Sequence, residues 1–331
     1  LCRCTGYAPI IAAAEAAHDD VKPSWVNTDN KILKQLGSSG KKKNQNAYLP
    51  KTIRELEKWC TKNPKGTLVG GATDVGLWVT KNLRDLKEIC FIGQIEEMSK
   101  INISRNVLNV GASTTIEVLR QELQKKYPDF SELLRRYGSM QVRNAATLGG
   151  NIANGSPIGD SPPALIAIGA SILLNRNGKH RKIPIEDFFI RYGQQDLHPG
   201  EFIESIEIPL SEKNLKCYKI SKRFDQDISA ICGCFNITLE KNKVKTARIA
   251  FGGMAEIPKR ATSVENFLLG STWSEETISS AMALFDKDFN PISDLRATSE
   301  YRKITAKNLL KKYYIETNSV EKNTNVLKII S

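Results

Sequence analysis

Two glycine-rich segments do most to limit what this chain can fold into. The first, Leu68-Val-Gly-Gly-Ala-Thr-Asp-Val-Gly76, reads as a short strand running into a glycine turn and then a helix. Gly70 and Gly71 permit backbone angles and close approaches that a side chain would block, and successive amides in such a turn converge on an anion. A diphosphate would fit there, although the segment taken alone reads better as an ordinary strand-to-helix turn. It lacks the Gly-Lys-Ser/Thr end of a Walker loop and the Gly-x-Gly-x-x-Gly spacing of a Rossmann fingerprint. The second segment, Tyr137 to Asp160, is long, rich in Gly and Asn, and punctuated by Thr147, Ser156 and Asp160. That composition suits wrapping a polar ligand with backbone amides and short donors, while Asp160 can accept hydroxyl hydrogen bonds.

Around these segments, helical and strand patterns alternate. Thr52-Ile-Arg-Glu55 has capping-box spacing, with Ile53, Leu56, Trp59 and Cys60 on one helical face. Strands are expected at 67–70, 88–92 and 107–112, and helices at 115–126 and 129–136. Asn177-Gly178 marks a hairpin turn within 171–180, and Glu201 to Pro209 alternates as a half-buried strand does. From about Lys213 two long strands, 228–240 and 244–251, precede helices at 264–269, 275–285 and 305–314. The expected fold class is α+β, with one domain over 47–212 and a second over 213–316. Ahead of them come a Cys-Arg-Cys loop and a helix within residues 1–18, then a polar linker over 19–46 containing Lys41-Lys42-Lys43. Residues 317–331 read as a polar tail.

Composition narrows the function classes. No apolar stretch approaches the length of a membrane helix in this chain of 331 residues, 40% hydrophobic and 25% charged. The net charge of +12 comes from scattered lysines without interleaved aromatic residues, so it reads as a solvated surface; neither nucleic acid nor a membrane is an expected partner. Seven cysteines, an odd number in a chain too large to need disulfide staples, fit a reducing, cytoplasmic compartment. Cys60, Cys90 and Cys217 read as buried thiols. Cys232 and Cys234 share one face of a strand, where core packing is favoured over a metal pair because no second Cys or His pair stands at ligand spacing. No signal peptide is legible, and Leu1 runs directly into Cys2-Arg-Cys4 as though the chain continued something longer.

The run Arg143-Asn-Ala-Ala-Thr-Leu-Gly-Gly-Asn151 followed by Ser156-Pro-Ile-Gly-Asp160 resembles the second FAD-binding segment in the flavin domains of xanthine dehydrogenase, aldehyde oxidase and carbon monoxide dehydrogenase. Leu68 to Val75 occupies the position of that family's glycine loop. Asp294-Leu-Arg-Ala-Thr-Ser-Glu-Tyr-Arg302 is similar to a segment near the end of its C-terminal subdomain, and Leu1-Cys-Arg-Cys-Thr-Gly-Tyr7 to the second cysteine pair of its helical 2Fe-2S domain. Four ordered matches over nearly the whole chain are far more specific than one glycine loop.

The resemblance implies a two-subdomain PCMH-type FAD-binding domain, then a domain like the C-terminal part of the CO dehydrogenase flavoprotein, preceded by a remnant of a helical 2Fe-2S domain. It implies that Leu68, Val69, Gly70, Gly71, Ala72, Thr73, Asp74 and Val75 hold the FAD diphosphate. Tyr137 would stack on the isoalloxazine, though its pattern also fits a core tyrosine at a helix end. Thr147, Leu148, Gly149, Gly150, Asn151 and Asp160 would bind more of the dinucleotide. Ile203 and Lys219 match weaker positions and read equally as packed or solvated side chains. Asp74 and Ser156 would lie near a nicotinamide acceptor. Cys2 and Cys4 supply half of a 2Fe-2S site, so a cluster is expected only with a further iron-sulfur segment. Nothing resembles a molybdopterin pocket, which assigns that cofactor to a large partner subunit. The implied role is passing electrons from iron-sulfur clusters through FAD to NAD in a xanthine dehydrogenase-type enzyme of purine catabolism. Alternatives are the flavoprotein of a related carbon monoxide or aldehyde dehydrogenase, a flavoprotein of the wall-precursor reductase type, and a non-enzymatic basic binding protein.

Overall fold

The computed structural model describes residues 7–21, 23–24, 32–33, 47–210, 214–318 and 324. The chain divides into two units, Leu1–Gln45 and Asn46–Ser331. In the first, helix α1 (Tyr7–Asp19) carries Pro9 in its first turn, where the missing N–H breaks no helical bond. Cys2, Cys4 and most of the 19–46 linker lie outside the described residues.

The second unit begins with a parallel sheet, made of β1 (Ala47–Tyr48), β2 (Thr67–Val69) and β3 (Ile89–Phe91) in the order β1-β3-β2. Helix α2 (Ile53–Lys62) links β1 to β2. Thr52 caps it, its hydroxyl accepting from the Glu55 N–H at 3.2 Å, while Glu55 reaches back to the Lys51 N–H at 2.7 Å. The expected stripe forms: Leu56 and Cys60 are buried, with Ile53 and Trp59 packed against the same core.

An antiparallel sheet follows, ordered β4-β5-β10-β6-β7. It comprises β4 (Ile101–Ser104), β5 (Val107–Gly111), β6 (Ser171–Arg176), β7 (Lys179–Pro184) and β10 (Phe202–Pro209). Asn177 and Gly178 join β6 to β7 with φ of 51° and 77°, both positive as a two-residue hairpin turn requires. Helices α4 (Ile116–Leu123) and α5 (Pro128–Arg135) bury apolar faces on this core, which extends through the antiparallel and parallel sheets.

The final sheet, β11 (Lys216–Ile220), β12 (Ile231–Glu240), β13 (Lys243–Gly252) and β14 (Lys259–Arg260), is antiparallel in that order. Cys232 and Cys234 are buried in the core on β12, and Cys217 pairs opposite Cys234. Helix α8 (Ser161–Ile168) lies between this sheet and β10; all eight of its residues are buried, so both of its faces are apolar walls. The closing helix α9 (Ser299–Asn318) starts six residues earlier than the sequence pattern predicts. Its first turns carry Arg302, 1% exposed, whose guanidinium bonds Asp294 at 2.9 and 3.0 Å and the carbonyls of Ala230 and Ile292. A charge on the buried face hides the apolar period there. Among the described residues no helix is long and apolar enough to cross a membrane.

Candidate functional site

A cleft of about 570 Å³ opens where the two glycine-rich segments meet. Its first wall leaves the carboxyl end of parallel strand β2, the place where open parallel sheets leave room for ligands. Gly70 and Gly71 turn the chain, Ala72 takes a positive φ of 58°, and α3 (Val75–Thr80) begins at once. The N–H groups of Gly71, Ala72, Thr73 and Asp74 donate to no described protein acceptor. Partly exposed on the cleft wall, this turn is a row of donors open to a ligand.

Gly71 also has a packing role that the sequence did not reveal. A Cβ there would stand 1.7 Å from the carbonyl oxygen of Ala145, so only glycine lets the first segment lie against the second.

The second segment differs from the expected amide wrap. It forms α6 (Met140–Ala145) and α7 (Leu148–Asn154), capped by the Ser139 and Thr147 hydroxyls. Thr147 accepts from the Gly150 N–H at 3.1 Å, while the amides of Leu148, Gly149 and Asn151 bond to Thr114, Ala112 and Thr147 carbonyls. These donors are therefore occupied within the protein, leaving side chains and the bare surface of Gly150 toward the cleft. Arg143 anchors the segment from behind. It bonds Glu117 at 2.8 Å and the carbonyls of Arg135 and Gly138. Hydrogen bonding from Arg120, joined by Arg143 and opposed by burial, pushes the Glu117 carboxyl down to about 2.

Of the sequence-predicted residues, Leu68, Gly70, Gly71, Ala72, Thr73, Asp74, Val75, Tyr137, Thr147, Gly150 and Asn151 line the cleft together, as does Ser156. Tyr137 accepts from the Asn151 amide at 3.1 Å, and Asn151 in turn accepts from the Ser161 hydroxyl. Burial, then the nearby Asp74 and Asp160 charges, push the Tyr137 phenol well above its ordinary range, and burial raises the Asp74 carboxyl. Val69, Leu148 and Gly149 are held behind the wall, Gly149 because a Cβ would meet Ala112 at 2.5 Å. Asp160, Ile203 and Lys219 are likewise off the cleft wall. Asp160 is buried and bonded to Lys219 at 2.6 Å and to the Ser229 hydroxyl at 2.5 Å, and Ile203 is in the core. The sequence gives no signal for Trp78 on α3, for Arg84 beyond it, or for Tyr192 and Gln195 from the hairpin of β8 (Phe189–Arg191) and β9 (Gln194–Gln195). Only the turn of that hairpin is marked, by Gly193 with φ of 68°.

The family model described as the FAD binding domain in molybdopterin dehydrogenase matches residues 42–211, just over half of the chain. The chain belongs to this FAD-binding family. A second model, the CO dehydrogenase flavoprotein C-terminal domain, matches residues 216–317 of the flavoprotein. Its relatives include a xanthine dehydrogenase of Emericella nidulans, 26% identical over 88% of this chain and 26% of that protein. The flavoprotein thus spans about a quarter of that relative's length. It is also 30% identical to the glyceraldehyde dehydrogenase medium chain of Sulfolobus acidocaldarius, over 68% of this chain and 81% of that one. The reconstituted CO dehydrogenase from Oligotropha carboxidovorans has the same fold, with a TM-score of 0.74 and 24% identity over 81% of this chain and 95% of that chain. The open amides of 71–74 and the glycine-lined gap give the flavoprotein the donors and backbone access that an FAD diphosphate needs.

Proposed function

We propose that this flavoprotein is the electron-transfer part of a xanthine dehydrogenase-type molybdenum hydroxylase, receiving electrons from iron-sulfur clusters and delivering them to NAD. The observation that carries the reading is the row of open amides from Gly71 to Asp74, set in the same cleft as Tyr137 and Asp74. In this reading Leu68 and the turn of Gly70 to Val75 hold the diphosphate of FAD, Tyr137 offers its ring to the isoalloxazine, and Thr147, Gly150 and Asn151 border the rest of the dinucleotide, with Val69, Leu148 and Gly149 behind them. Asp160, Lys219 and Ile203 hold that wall in place from behind. A bound flavin accepts electrons singly and releases them as a hydride. The protein's own part is to orient it, exclude water and keep the Tyr137 phenol protonated, which its upward shift favours.

Residues 1–18 are proposed as the end of a helical 2Fe-2S domain, with Cys2 and Cys4 completing a cluster only beside a further cysteine pair. Molybdenum chemistry belongs to a large partner subunit. A second reading, the medium flavoprotein chain of an aldehyde or carbon monoxide type enzyme, is favoured by the 81% coverage of the glyceraldehyde dehydrogenase medium chain.

Visible spectroscopy of the purified full chain tests the reading. A noncovalently bound flavin, released by acid precipitation as FAD and bleached anaerobically by NADH but not by xanthine, is the expected result. A colourless protein overturns the FAD site. A flavin that xanthine reduces without any partner overturns the division of labour, and one that NADH leaves oxidised removes the NAD acceptor and supports the second reading.

A further inference from the structure

Only two charged side chains stand among the described residues lining the cleft, Asp74 at the start of α3 and Arg84 just beyond its end. Arg84 is exposed, and its guanidinium makes no ion pair or hydrogen bond with any described residue. It is nevertheless held in place: the guanidinium carbon lies 5.3 Å from the centroid of the Trp78 ring, a cation–π distance. The chain gets there by a strained reversal. Leu83, 85% exposed, adopts a φ of 52°, and the Arg84 N–H returns to the Trp78 carbonyl at 2.9 Å. A non-glycine residue in the left-handed region, with no burial to reward it, is the kind of local strain that accompanies a positioned functional group.

We infer that Arg84, braced on Trp78, is the phosphate-binding residue for the dinucleotide electron acceptor, while Asp74 faces its nicotinamide end. This rests on the proposed delivery of electrons to NAD and adds a residue to it. Three features favour the exchanging ligand over the resident flavin. The flavin diphosphate already has the open amides of 71–74. Arg84 stays solvated when nothing is bound, which suits a ligand that comes and goes rather than one kept permanently. The charges are also arranged in the right sense. Asp74 stands at the start of α3 and Arg84 folds back onto Trp78 of the same helix, so one cleft holds an acid suited to the cationic nicotinamide ring of the oxidised acceptor and a base suited to its phosphates. The braced guanidinium loses little freedom on binding, and its planar fork can take a phosphate through two parallel bonds.

The test is steady-state oxidation of NADH by the flavin-loaded full chain with an artificial dye as final acceptor, comparing wild type with Arg84→Gln, Arg84→Lys and Trp78→Ala. Arg84→Gln is expected to keep its flavin content, melting temperature and kcat, to raise KM for NADH about tenfold, the order expected for one lost charge-assisted bond, and to flatten the salt dependence of kcat/KM. Arg84→Lys should fall between, and Trp78→Ala should raise KM by a smaller factor. An unchanged KM in Arg84→Gln overturns the role of Arg84. Loss of flavin from that variant overturns it too, by giving the guanidinium to FAD itself. If the wild-type chain keeps its flavin yet takes no electrons from NADH, the acceptor assignment fails and takes this inference with it, a result distinguishable from both others.

Discussion

The two glycine-rich segments border the same cleft but use their backbone in opposite ways. In the first, glycines free the turn from side chains and leave the amides of Gly71 to Asp74 without acceptors among the described residues. In the second, Thr147 and the Ala112 and Thr114 carbonyls take up the amides of Leu148 to Asn151, and the glycines serve close packing. Similar composition therefore produces a donor surface in one place and a rigid wall in the other. Glycine content alone does not distinguish them. What does is whether a hydroxyl cap and the carbonyls of the turn after β5 reach the amides first.

Gly71→Val is the most severe way to break this contrast. A β-branched side chain at a site where a Cβ would already stand 1.7 Å from the Ala145 carbonyl must push the donor turn off its wall. Flavin binding should be lost and the melting temperature should fall; full flavin occupancy in a folded Gly71→Val protein would show that the two segments need not touch. Next in size is Asp160→Ala, which strands the buried Lys219 ammonium behind the second segment. Denaturant unfolding should show a loss of about 3–5 kcal/mol, the usual consequence of breaking one side of a buried ion pair. A loss below about 1 kcal/mol would mean that the pair is not what holds the wall.

The smallest effect is expected from acid. Glu117, which anchors Arg143 at the base of the second segment, has its carboxyl held down to about 2. Because the folded value lies below the unfolded one, the stabilisation is complete above pH about 4.5 and disappears as pH falls toward about 2. Amide exchange in α6 and α7 should quicken over that range in wild type, and Glu117→Gln should lose this step while the turn at 70–74 stays unaffected. Equal acid sensitivity of both segments would erase the distinction between them.

Much of this arrangement was legible because it is local. The Thr52 cap, the Asn177-Gly178 turn and the strand-to-glycine-turn of 68–76 are each written within a few consecutive residues, and each took its expected form. The orders β1-β3-β2 and β4-β5-β10-β6-β7 are set by contacts between strands far apart in sequence, which periodicity does not encode. The same holds for function. Asp160 and Lys219 both stand out in the sequence, but nothing in it says that residues 59 apart neutralise each other inside the core rather than facing a ligand. Trp78 and Arg84 were invisible for another reason: the reversal that brings them together turns at Leu83, a residue type that carries no turn signal.

Helix α8 has a consequence for how such proteins can be rearranged over time. It belongs by sequence to the stretch matched by the FAD-binding model, yet it packs against β12 and β13 of the stretch matched by the C-terminal model, with all eight of its residues buried. Exchanging either stretch for a homologous one would require both faces of this helix to be matched at once, since mismatched volumes in a close-packed interior are costly in either direction. The two stretches are therefore expected to be inherited together, and recombination that succeeds should carry the pair as one block rather than cut between residues 211 and 216.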